Sequence, residues 1–312
     1  MGDSKLKRLR PILFGIVALG IAAAALTAAL RGLDWATFCV QLNQLDWRWL
    51  GVAVAFDVAS YAAQGVRWRC LLQQASLWQT TRAIYAGLFL NEIVPLRPGE
   101  AVRAWLAARD LRVGLLTVAP TMLTERLMDG VWLAAALLAT LALAPLPVSL
   151  IRAAWMVIVA MSILVVTALL VGRERYPFLA KIRSGLSNRP ALLASGVFLA
   201  AQGLAFWAVT RASHLSLSLA AAFVVMIVVR IGTMLPGAPA NLGTHQFSTV
   251  LGLSLYGVPQ NTAAGFSLVV FVVLTAPLLA IGFAACLNAG LNWETLRAAS
   301  RPAEPVDSPL PG

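Results

Sequence analysis

Charge is scarce in this chain. Of its 312 residues only 12% are charged and 13 are acidic, against about 25% charged in an ordinary soluble domain. That shortage, with 60% hydrophobic residues and a mean hydropathy of +0.80, argues against two soluble domains and for one membrane bundle. Cysteine is equally sparse. Cys39, Cys70 and Cys286 are odd in number and far apart, which leaves no disulfide framework and no metal-ligand spacing. There is no Asp-x-Asp, no His-Glu-x-x-His and no serine nucleophile motif. No cofactor or metal site is therefore expected. The formal net charge is +11, yet the basic residues flank hydrophobic runs, which favours anionic lipid headgroups over nucleic acid.

What is present is a set of long apolar stretches. A bilayer core of roughly 30 Å takes about 20 helical residues. Six full spans fit: about Pro11–Leu30, Trp49–Val66, Val113–Ala144, Ile151–Gly172, Ala191–Arg211 and Thr262–Leu287. The first follows a basic segment from Lys5 to Arg10. It is longer than a signal-peptide core of roughly 7–15 residues and reads as an uncleaved signal anchor with a cytoplasmic N-terminus. Two further segments, Leu71–Arg112 and Ala212–Asn261, are apolar but broken near the middle by a Pro-x-x-Pro with glycine nearby. The spacing predicts re-entrant hairpins of two half-helices, although Leu217–Leu235 is long enough to cross alone.

Charge supports one orientation. With the N-terminus inside, eighteen basic residues fall on the cytoplasmic side and four outside, while Arg126 and Arg230 fall within the membrane. The first hairpin then dips from the cytoplasm and the second from the outside. The expected fold class is an all-α polytopic membrane helix bundle with two re-entrant broken-helix hairpins in an inverted repeat, about 49–144 and 191–288. Residues 1–290 form one membrane domain. Residues 291–312 read as a disordered, proline-rich cytoplasmic tail. Trp47, Trp49, Trp68, Trp78 and Trp293 fall near span ends and read as interfacial belts.

The polar residues inside the greasy sequence are the candidate site. Glu125, Arg126 and Asp129 lie within one turn of span three. Each charge costs about 2.5–3.5 kcal/mol deep in a bilayer, so the cluster faces inward, as a structural ion pair or as a cavity lining that binds a proton or cation. Asp57, Tyr61, Gln64 and Trp68 share one stripe of span two, where Asp57 is placed to neutralise Arg103 or Arg126. The first tip brings Asn91, Glu92, Arg97, Gly99, Glu100 and Arg103 together. Pro98 starts the returning helix, Glu100 complements its dipole and lies i, i+3 from Arg103, and free N–H groups with arginines suit an anionic group such as phosphate. The second tip offers Asn241 and Thr244 as caps, Gly243 for close approach, and His245 and Gln246 as polar groups. Arg230 lies on its descending limb and needs a partner.

The run Asn91-Glu92-Ile93-Val94-Pro95-Leu96-Arg97-Pro98-Gly99-Glu100-x-x-Arg103, followed by Glu125-Arg126-x-x-Asp129, resembles the signature of the flippase-like membrane domain of lysylphosphatidylglycerol synthases. Pro236-x-x-Pro239-x-Asn241-x-Gly243-Thr244 resembles its second motif. The resemblance spans about Pro11 to Asn288 and includes proteins associated with polyprenyl-glycolipid and hopanoid pathways. It implies a multi-pass inner-membrane protein with both termini cytoplasmic, and a lipid partner: an anionic phospholipid or a polyprenyl- or hopanoid-type lipid. A lipid-modifying enzyme is a further possible partner. The family's second motif often ends in glutamate, where this chain has Gln246. Only about 25 residues follow the last span, so the aminoacyl transfer of bifunctional relatives is not inferred.

The expected function is lipid translocation, with Arg97, Arg103 and the Gly99 turn holding phosphate and Glu125 and Asp129 balancing charge. The alternatives are a membrane-embedded lipid-phosphate transferase, in which Glu92, Glu100, Glu125 and Asp129 hold a divalent cation, and an accessory subunit of a lipid-modifying enzyme.

Overall fold

The computed structural model describes residues 20, 22–94, 98–143, 148–171, 176–233 and 241–291. Among them it is all-helical. The helices are α1 (22–30), α2 (Trp35–Asn43), α3 (Trp47–Leu71), α4 (Leu77–Ile93), α5 (Gly99–Leu111), α6 (Leu115–Leu143), α7 (Val148–Val171), α8 (Pro177–Leu186), α9 (Arg189–Ala212), α10 (Leu219–Gly232), α11 (Thr244–Ser254) and α12 (Gln260–Asn288).

Among the described residues four helices are long and apolar enough to cross a membrane: α3, residues Ile151–Leu170 of α7, α9 and α12. Helix α6 matches α12 in length at 29 residues, but carries the Glu125–Asp129 charges in its first half. The two segments broken by Pro-x-x-Pro become the short pairs α4–α5 and α10–α11. Their halves have 17 and 13, and 14 and 11 residues, too short for any one of them to cross readily. The reading of Leu217–Leu235 as a single crossing helix is not what folds, because α10 ends at Gly232. The proline tips themselves, including Arg97, Pro236 and Pro239, lie outside the described residues, as do Trp293 and the tail.

Local signals account for the helix starts. Asp34, Asp46, Ser76, Asn188 and Ser218 each accept an N–H of the following helix, and Ser76 with Gln79 forms a reciprocal capping box. The Thr37 hydroxyl, then the N–H groups of Ala36 and Thr37, hold the Asp34 carboxyl below its ordinary range.

Helices α3 and α9 form the central pair. Both helices bury small residues, among them Ala53 and Ser60 of α3 and Ala194, Ala201 and Ala205 of α9. These bring the backbones close where there is no hydrophobic drive between helices. Around this pair the two halves pack alike: α4 lies against α3, α5 and α12, and α10 lies against α9, α11 and α6. The helix lengths of α2–α6, at 9, 25, 17, 13 and 29 residues, also run in the same order as those of α8–α12, at 10, 24, 14, 11 and 29.

Two apolar clusters form the interior. One joins the start of α3 to the end of α6 and to α7 and α9–α12. The other joins the end of α3 to α4, α5, the start of α6 and the end of α12. Between them, on α3 from Asp57 to Arg67 and on α6 from Glu125 to Asp129, lies a polar layer. Glu125 is ten residues into α6, about 15 Å along its axis.

Candidate functional site

The polar layer is organised around a closed ring of ion pairs. Arg67 of α3 meets Glu125 at 2.9 Å and Asp129 at 2.5 Å. Asp129 meets Arg126 at 3.4 Å, and Arg126 pairs with Glu100 of α5. Glu100 lies 3.9 Å from Arg103, which pairs with Glu125 and closes the circuit. Signs alternate all the way round, so three cations and three anions cancel, and four of the six contacts tie the three helices together.

The ring is buried on one side and open on the other. The Arg67, Arg103 and Glu125 side chains are 0%, 4% and 1% exposed, whereas Arg126 and Glu100 are 52% and 41% exposed. The buried side is fitted by neighbours. The Arg103 guanidinium lies 3.9 Å from the Trp68 ring centroid, and the Trp68 indole donates to Thr121 Oγ1 at 3.0 Å. Trp68 is therefore an interior residue, not part of an interfacial belt; Trp47 and Trp78 are exposed as that reading requires. Two buried guanidinium nitrogens, Arg67 Nη2 and Arg103 Nε, meet no hydrogen-bond partner.

The first tip is held by Asn91 and Gly99. Asn91 Oδ1 accepts from Gly99 N–H at 2.8 Å, so this N–H at the start of α5 is already engaged and is not a free phosphate donor. Helices α4 and α5 cross where Gly87 meets Gly99. A Cβ on Gly87 would stand 2.7 Å from the Gly99 carbonyl oxygen, so only glycine permits the approach. Pro98 is the residue just before the first turn, and Glu100 lies within that turn.

The second tip is capped differently from expectation. Gly243, at φ +87°, is the residue before α11, and its N–H donates to Gln246 Oε1 at 2.7 Å. A Cβ there would collide with the Ala22 carbonyl of α1. Asn241 adopts a left-handed φ of 51°, and its carbonyl accepts from the Thr244 hydroxyl, so neither Asn241 nor Thr244 caps α11 with its side chain. Gln246 is buried as this cap. The His245 ring packs 5.4 Å from Phe271, with its Nδ1 buried and unpartnered.

Between ring and second tip lie Asp57, Tyr61, Phe198, Gln202 and Arg230. Arg230 donates to Gln202 Oε1 and lies 5.1 Å from the Phe198 ring centroid. The Tyr61 ring packs at a tilt, 5.5 Å from Tyr85 and 6.4 Å from Phe198 between centroids. The stripe Asp57, Gln64 and Trp68 is buried as its spacing predicts. Asp57, however, does not neutralise Arg103 or Arg126. Both arginines are taken by ring carboxylates, and Asp57 Oδ2, like Gln64 Oε1 and Tyr85 OH, is buried without a partner. Glu92 is engaged near the first tip.

Arg67 is the ring member that sequence reasoning missed, because its place at the end of span two counts it among the cytoplasmic basic residues. The signal was present: Arg67 is three residues past Gln64 on the same inward stripe. Of Glu92, Glu100, Glu125 and Asp129, the carboxylates a cation-dependent transferase would use, the last three are each engaged by an arginine, and among the described residues no three His, Cys, Asp or Glu side chains are placed to hold one metal ion.

An arginine fork satisfied by a carboxylate is equally suited to a phosphate.

Comparison with known proteins places the chain in a family. The family described as Lysylphosphatidylglycerol synthase TM region matches residues 15–282. No curated protein and no solved structure matches the chain.

Proposed function

The chain belongs to the lysylphosphatidylglycerol synthase transmembrane-region family and is a multi-pass membrane protein with a role tied to membrane lipids; from that premise we propose that it moves an anionic phospholipid or lipid-linked headgroup between leaflets of the inner membrane. The observation that carries this reading is the ring. It is a charge-balanced ionic site deep in an apolar bundle, sealed on the Arg67 side and open at Arg126 and Glu100. A purely structural ion-pair cluster gains nothing from a half-exposed rim, because exposed pairs add little stability.

The matching order of α2–α6 and α8–α12 supports an inverted repeat, with α4–α5 dipping from the cytoplasmic side and α10–α11 from the outside. Both termini would then be cytoplasmic. In this scheme the phosphate takes the place of Glu100 at the rim, the ring rebalances as Glu100 is released, and the lipid tails stay in the bilayer. Asp57, buried with an unpartnered oxygen, is the carboxylate left to take up a proton or cation as the site changes its opening. Gln202 and Arg230 form the opposing wall.

The test is reconstitution in liposomes with fluorescent lipids and a membrane-impermeant quencher. Accelerated flipping of an anionic lipid, reduced by Arg126→Gln, is expected. No acceleration for any anionic phospholipid or polyprenyl phosphate rejects translocation. Retained flipping in Arg126→Gln rejects the ring as its site.

A further inference from the structure

Two cavities run along one side of α10 and join. The larger, about 500 Å³, is walled by Ala24 and Ala28 of α1, Leu137 of α6, Ala154 of α7 and Phe247 and Leu251 of α11. The smaller, about 290 Å³, is walled by Ala136 and Ala139 of α6 and by Leu219, Ala220 and Phe223 of α10. Thr140 and Ile227 belong to both, so the pair forms one furrow. It follows α10 from Leu219 to Gly232, about 21 Å of helix. Alanines supply most of the width, and the larger part alone is in the size range of a ligand site, ~300–1,000 Å³.

The furrow leads toward the ionic layer on both of its main walls. On α6 the stripe Asp129, Leu133, Ala136, Thr140 has the i, i+4, i+7, i+11 spacing of one helix face. It begins at the ring and ends in the furrow, about 16 Å away. On α10, Ile227 and Ile231 line the furrow, and Arg230 sits between them in sequence, turned to the flank. Among the described residues Arg230 donates a hydrogen bond to the neutral Gln202 and has no carboxylate within ion-pair distance, in contrast to Arg67, Arg103 and Arg126. Asp129, Arg67 and Arg126 act on it only from farther off. A cation held by an amide and an aromatic face is poised for an anion.

We propose that the furrow between α6 and α10 holds one hydrocarbon chain of an anionic lipid and that Arg230 receives that lipid's phosphate. The occupant is argued from position. The apolar trough lies in the membrane-embedded part of the chain, and beside Ile231, on the flank of the same helix, stands a cation with no carboxylate within ion-pair distance among the described residues. The proposal rests on the lipid-transport reading only for its choice of a lipid; binding and movement are measured separately.

The test uses the full chain, purified in detergent and exchanged against phosphatidylcholine vesicles with or without phosphatidylglycerol, with retained lipid counted by native mass spectrometry. Phosphatidylglycerol is expected to be retained preferentially. Arg230→Gln lowers that preference about tenfold, and Arg230→Lys keeps most of it. Ala139→Trp and Ala220→Trp fill the trough from exposed positions, which spares folding, and remove retained lipid of either headgroup. Thermal unfolding confirms that each variant is intact. Equal retention of both lipids, unchanged in the tryptophan variants, means annular lipid only and overturns the proposal. Competition by inorganic phosphate with no effect of chain filling means a free-anion site and also overturns it. Normal retention with no flipping leaves this proposal standing and removes the translocation reading instead.

Discussion

Arg67 Nε and Glu125 Oε1 face each other at 2.9 Å, one on α3 and one on α6, and both side chains are sealed from solvent. This contact is the inner anchor of the ring, and its strength comes from its surroundings. A buried charge that loses its partner leaves the other uncompensated, and breaking such a pair typically costs about 3–5 kcal/mol.

Glu125→Gln removes the carboxylate shared by Arg67 and Arg103. It is expected to lower stability by about 3 kcal/mol or more and to reduce the melting temperature measured by detergent thermal unfolding. A melting temperature within a degree or so of wild type would show that the ring is not the clamp it is taken to be.

Arg126→Gln acts on the open rim. Because Arg126 and Glu100 are half exposed, stability is expected to fall by less than about 1 kcal/mol. Lipid flipping in the liposome assay should nevertheless drop severalfold. The pair of measurements separates a transport role from a structural one, since a residue that merely stabilises would move the two together.

Gly99→Ala places a methyl group against the Gly87 carbonyl at the α4–α5 crossing. Overpacking of this kind costs about 1–3 kcal/mol. Gly51→Ala in α3, with nothing within 4 Å of the new Cβ, is the control. It is expected to be neutral or to gain up to about 1 kcal/mol from the better helix former. Paired melting curves decide the matter, and equal effects would mean the crossing is looser than described.

Ile93→Cys and Leu242→Cys report the orientation of the two tips. Both side chains are exposed, next to the first and second proline segments. In a Cys39→Ala, Cys70→Ala background, an impermeant maleimide applied from outside is expected to label Leu242→Cys in intact cells, and Ile93→Cys only after permeabilisation. Labelling of both from the same side rules out the inverted repeat.

Much of the architecture was legible because its causes are local. Apolar length set where α3, α9 and α12 run, and proline with glycine set where the short pairs break. The inward stripe on α3 followed from helical spacing and the cost of a lone charge in lipid. The spacing of Glu125, Arg126 and Asp129 also announced the i, i+3 pair between the last two. What was misread was partnership. Asp57 looked like the natural counter-ion for Arg103, but Glu125 took that place. Arg67 looked like a topology marker, but it bridges two carboxylates. Asn241 and Thr244 looked like caps, but Gln246 does that work from one turn inside α11.

The amino-acid sequence alone thus determined that this is a helical membrane bundle with two broken segments and a few expensive interior charges, since burial in lipid penalises every unpaired backbone or ionic group wherever it occurs. Which arginine meets which carboxylate, and that six of them close into a ring with one open side, was decided only by tertiary structure. Those residues lie on three helices up to 62 positions apart, and no spacing rule within one helix can specify how three helices rotate about one another when they pack.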